Sequence, residues 1–76
     1  MTDITQELDA RGLNCPLPIL RAKKSINTLN SGQVLRITAT DPGSVKDFEA
    51  FCKQTGHTLL NSSEANGAFV FDIQKN

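Results

Sequence analysis

The sequence predicts an α+β fold: an α/β two-layer sandwich of order β-α-β-α-β-β, with a four-stranded mixed sheet and two helices on one face. Three observations carry this. Four short stretches alternate apolar and polar residues with a period of two. Two longer stretches repeat apolar residues at the helical period, each entered from a strand through a turn. Every strand pattern keeps one polar side, which leaves one face of the sheet uncovered, and right-handed crossovers put both helices on the other. The 76 residues suit one domain, 1–76.

The first strand covers residues 4–10, with Ile4, Gln6, Leu8 and Ala10 on one side and Thr5, Glu7 and Asp9 on the other. Arg11 to Asn14 is a turn, in which Gly12 can take a positive φ. Residues 16–29 read as a helix whose core face holds Ile19, Ala22, Ile26 and Leu29. Leu17 and Leu20 lie on nearly the opposite side, among Arg21, Lys23 and Lys24. Asn30 to Gln33 ends that helix. Val34 to Thr40 is the second strand, parallel to the first.

Asp41-Pro42-Gly43-Ser44 turns the chain again. Ser44 is expected as the N-cap of the second helix, with Asp47 three residues on completing something close to a capping box. That helix, about 45–55, aligns Val45, Phe48, Phe51, Cys52 and Thr55 in one arc, so Cys52 reads as a small buried hydrophobe. Gly56 closes it, and His57 reads as a solvated loop residue. Residues 58–63 form a weaker third strand. Asn66-Gly67 is a strong hairpin signal, after which Phe69, Phe71 and Ile73 alternate with Val70, Asp72 and Gln74.

Eight basic and eight acidic residues cancel, so no basic excess drives binding to nucleic acid or to a membrane surface. No apolar run could span a bilayer, and the start of the chain lacks the regions of a signal peptide, so the expected compartment is the cytoplasm. The two cysteines then read as reduced thiols. With one histidine, no metal site and no cofactor are expected.

The chemistry points to Asn14-Cys15-Pro16-Leu17-Pro18. Proline suits the first turn of a helix, so Cys15 is the N-cap or the residue beside it. A helix N-terminus favours thiolate. A drop of about one unit from a pKa of about 8.5 would raise the thiolate fraction at pH 7 from about 3% to about a quarter. Arg11 and Asp41 are both expected near Cys15, with opposite electrical effects. Position 18 is proline, so there is no Cys-x-x-Cys redox pair, and a buried Cys52 is a poor resolving thiol. A carrier whose thiol holds a covalent group and a merely structural capped cysteine both remain open on these grounds. Leu17, Leu20 and Arg21 are candidate partner contacts beside the thiol.

The stretch Leu8-Asp9-Ala10-Arg11-Gly12-Leu13-Asn14-Cys15-Pro16-Leu17-Pro18 resembles the signature Asp-x-x-Gly-x-x-Cys-Pro-x-Pro of the TusA/SirA-like family of small sulfur carriers. The resemblance extends through Thr40 to Ser44 and Phe51-Cys52. It implies a sulfurtransferase-type carrier, rather than a turnover enzyme on its own, that holds a persulfide on Cys15. Asp9 and Gly12 would shape the approach turn, while Pro16 and Pro18 would hold the helix start and present the sulfur. The resemblance also implies a cysteine desulfurase or a rhodanese-type donor and a downstream sulfur-acceptor protein. Family uses include tRNA thiolation, cofactor assembly and sulfur oxidation. Leu17 occupies the variable position of the motif and would influence partner choice. The alternative is a non-catalytic regulatory or protein-interaction domain with the same fold.

Overall fold

A computed structural model describes residues 4–76. Strand β1 (Gln6–Ala10) leads to helix α1 (Leu17–Ile26), strand β2 (Val34–Ala39), helix α2 (Ser44–Thr55) and the hairpin of β3 (Thr58–Ala65) and β4 (Ala68–Gln74). The order is the one expected. The sheet runs β1-β2-β4-β3, with β1 parallel to β2 and the other two pairings antiparallel. The last strand therefore inserts beside β2, where Phe71 and Ile73 are fully buried, and the polar β3 takes the edge. Hydrophobic burial explains that order: β4 is the more apolar of the two hairpin strands.

Both helices cover the same face. Ala22 and Ile26 from α1 and Phe48 from α2 pack onto Ala10, Leu35, Ile37 and Ala39. Phe48 lies 4.7 Å from Phe71 between ring centres and meets Phe51 edge-on at 6.4 Å. On the uncovered face, Arg36 and Asp72 stand opposite each other on β2 and β4. Arg36 Nε and Nη2 donate to the two carboxylate oxygens at 2.8 and 3.1 Å, which lets Asp72 sit almost buried on the polar side.

Several local expectations change. Helix α1 ends at Ile26, earlier than residue 29, because i→i+3 bonds from Thr28 and Leu29 tighten the chain there. The Thr28 hydroxyl donates to the Ser25 carbonyl at 2.6 Å and helps close that turn. Thr55 is exposed rather than in the core stripe of α2, and its hydroxyl donates to the Phe51 carbonyl. His57 is no free loop residue. It is half-buried against Phe51, and its Nδ1 accepts from the Asn76 amide at 2.9 Å. The hairpin turn is as read: Asn66 and Gly67 both have positive φ, 54° and 78°, as a type I′ turn requires. No helix among the described residues is long and apolar enough to cross a membrane.

Candidate functional site around Cys15

Pairing of Ala10 with Ala39 aligns the carboxyl ends of β1 and β2, so the turns that follow emerge side by side. Gly12, at φ 79°, bends the first turn, and its amide donates to Thr40 Oγ1 at 2.9 Å. The Leu17 amide closes onto the Asn14 carbonyl at 2.8 Å, which sets Cys15 on the outside of the bend. Pro16 occupies the N-cap position of α1 and Pro18 the first turn, where neither needs an N–H. Cys15 is thus the residue beside the N-cap. Its thiol is free and exposed, whereas Cys52 is buried.

Arg11 does not act on Cys15. It is turned to Asp9, with Nε and Nη2 donating to the two carboxylate oxygens at 2.9 and 3.0 Å. The side-chain hydrogen bond from Arg11, together with its backbone amide, holds the Asp9 carboxyl at about 2. Asp9 therefore shapes the turn through Arg11 and stays out of the thiol's contacts. Asp41 is the neighbour that reaches Cys15: its Oδ2 accepts from the Cys15 amide at 3.1 Å.

A second acid, Asp47, stands at the thiol, a role not read from the sequence. The expected capping box does not form. Gly43 holds the N-cap position of α2, and Ser44 is its first residue, with a buried hydroxyl that finds no partner among the described residues. The Asp41 carbonyl accepts from the Ser44 amide instead, at 3.0 Å. Asp47 makes no capping bond and stands near the sulfur. Cys15 Sγ and oxygens of Asp41 and Asp47 all lie within 4.8 Å of one another.

This reverses the expected electrostatics. The Cys15 pKa is raised, first by the hydrogen bond to the Asp47 carboxylate, then by desolvation, then by the charges of Asp47 and Asp41. The causes of the rise are the two nearby carboxylates and desolvation. The sequence signal for this was Asp47 in the first turn of α2, ambiguous because the same position serves a capping box.

Beside the sulfur, between α1 and α2, lies an open cleft of about 250 Å³ lined by Cys15, Pro16, Ile19, Asp47, Phe51 and Gln54. Leu17 and Leu20, 45% and 54% exposed, and the exposed Arg21 lie on α1 outside the lining of this cleft. Another depression, about 370 Å³ among Glu7, Asp9, Arg11 and Thr38, has no thiol in its wall.

Fold and site together define a small α/β domain that presents one exposed thiol on a pinned turn, beside an open cleft. The chain belongs to the TusA family, Sulfurtransferase TusA, whose pattern it matches over residues 6–75. It is 67% identical over 75 residues to the sulfur carrier protein TusA of Allochromatium vinosum, across 99% of both chains. It is 42% identical over 77 residues to the sulfur carrier protein TusA of Pseudomonas putida, across 99% of this chain and 96% of that one. Among solved structures, a SirA-like protein of Desulfitobacterium hafniense superposes with a TM-score of 0.82 at 25% identity, covering 92% of this chain and 96% of that one.

Proposed function

We propose that this protein is a sulfur carrier that accepts sulfane sulfur as a persulfide on Cys15 and passes it to a protein acceptor. The carrier role rests on family membership and on relatives of that name. The observation that carries the assignment to Cys15 is its exposed thiol on the turn before α1, while Cys52 is enclosed by the core.

Loading is a thiol–persulfide exchange. The Cys15 sulfur, as thiolate, attacks the outer sulfur of a donor persulfide. The donor's S–S bond breaks, its inner sulfur leaves as a thiolate, and that thiolate takes up the proton that Cys15 gave up. Cys15 then carries the outer sulfur, and no net oxidation occurs. Unloading is the same exchange toward an acceptor cysteine. A cysteine desulfurase or a rhodanese-type protein fits as donor, because each forms a persulfide of its own. Leu17, Leu20 and Arg21, exposed on α1, are the candidate partner contacts. Two free thiols suit a reducing cytoplasm.

Intact mass after incubation with a cysteine desulfurase and cysteine, or with a rhodanese and thiosulfate, tests this. A gain of one sulfur atom is expected in the wild type and in Cys52→Ala, and none in Cys15→Ala. A gain that persists in Cys15→Ala overturns the assignment.

A further inference from the structure

The site holds a contradiction for a carrier. Exchange requires thiolate, yet the groups around the sulfur oppose it. Asp47 from α2 and Asp41 from the turn after β2 are the charged groups that bear on Cys15, and both are acidic. The guanidinium at this end of the sheet, Arg11, is engaged by Asp9 through two nitrogens. Gln54 across the cleft is neutral. Asp41 is committed in part to the Cys15 amide, whereas Asp47 has a carboxylate oxygen within 4.8 Å of the Cys15 sulfur and forms part of the cleft wall that solvent and partners can reach.

We propose that Asp47 is a gate on the carrier thiol: its carboxylate holds Cys15 as neutral thiol in the unloaded protein, and a cationic group of the docked partner releases the thiolate by pairing with Asp47. The gate rests on the reading of Cys15 as the sulfur-bearing residue. Its chemistry is a change of hydrogen-bond partner. While Asp47 accepts from the thiol, ionising Cys15 would set a thiolate against a carboxylate. When a lysine, arginine or helix N-terminus of the partner neutralises Asp47, that penalty falls and the thiolate forms where the donor sulfur waits. The device explains how an exposed thiol can stay quiet between partners. It also makes Asp47 a specificity residue, because it selects donors and acceptors that bring positive charge to the cleft between α1 and α2.

Two measurements on Asp47→Asn, in a Cys52→Ala background and with thermal unfolding as a check on folding, decide the matter. The first is the rate of Cys15 alkylation by iodoacetamide against pH, which needs no sulfur donor. The midpoint is expected to fall in Asp47→Asn, and the rate at neutral pH to rise about three- to fourfold for each unit of that fall, because the tenfold gain in thiolate is partly offset by its weaker nucleophilicity. An unchanged or raised midpoint overturns the gate. The second is loading from glutathione persulfide and from a cysteine desulfurase with cysteine. Opposite signs are expected: faster loading from the small persulfide, and a roughly two- to fivefold weaker half-saturation with the protein donor, whose cation has lost its partner. Changes of the same sign, or no change with the protein donor, overturn partner release. If the wild type takes sulfur from neither donor, the carrier reading fails, and partner release fails with it, while the alkylation profile still decides whether Asp47 holds the thiol.

Discussion

Asp41 Oδ2 accepts a hydrogen bond from the Cys15 amide at 3.1 Å, tying the turn after β2 to the residue at which the turn after β1 bends outward. The same aspartate accepts from the Ser44 amide through its carbonyl. Asp41→Ala keeps the carbonyl and loses the carboxylate, so the Cys15 turn loosens. Its expected cost is about 1 kcal/mol, or a fall in Tm of about 4–8 °C for a domain of this size. The Cys15 amide should exchange with solvent faster than the amides of β2, measured by NMR hydrogen exchange.

Leu17 is 45% exposed on the side of α1 away from the core. Leu17→Glu should weaken loading by a protein donor while stability stays within about 0.5 kcal/mol. Thermal unfolding and loading kinetics on one preparation check both halves. A large fall in Tm would mean that the leucine packs.

Cys52 is 6% exposed within the core, and burial pushes its thiol pKa up. In the native protein an alkylating agent should modify Cys15 and spare Cys52. Both should react in denaturant. Cys52→Ala should cost about 1 kcal/mol, as a small buried hydrophobe does, and leave sulfur loading on Cys15 intact. Intact mass with and without denaturant reads the first two outcomes.

His57 is half-buried, and its pKa is lowered first by burial and then by the charge of Lys75. A depressed folded pKa means that the unfolded chain binds the proton more readily. The contribution of neutral His57 is therefore present above the unfolded value of about 6.5 and is lost as pH falls through the folded one. Protonation also removes the Nδ1 lone pair that accepts from the Asn76 amide. Stability and Asn76 amide protection should both decline on mild acidification, and His57→Ala should flatten that dependence.

Phe48 is fully buried against Phe51 and Phe71, where the two helices meet the sheet. Phe48→Ala should cost about 3–5 kcal/mol. In a chain of 76 residues that is most of the usual margin. Denaturant titration should give a midpoint close to zero, or a protein unfolded without denaturant.

Six elements in order, the exposed thiol before α1 and the buried Cys52 were legible because each depends on neighbours a few positions away: alternation along β2, the helical spacing of Ala22 and Ile26, the prolines after Cys15, the Asn66-Gly67 turn. Local sequence encodes such relations directly. Three things waited for the tertiary structure. Burial of Phe71 and Ile73 drew β4 in beside β2 and sent β3 to the edge. Arg36 covered Asp72 across two strands, so a polar residue came to be buried on the open face. Asp47 met the Cys15 sulfur and reversed the expected direction of its pKa. The motif located the exposed thiol. The direction of its pKa shift follows from carboxylates that only the pairing of β1 with β2 and the packing of α2 bring within 4.8 Å of it, since electrostatic interaction follows distance in space rather than along the chain.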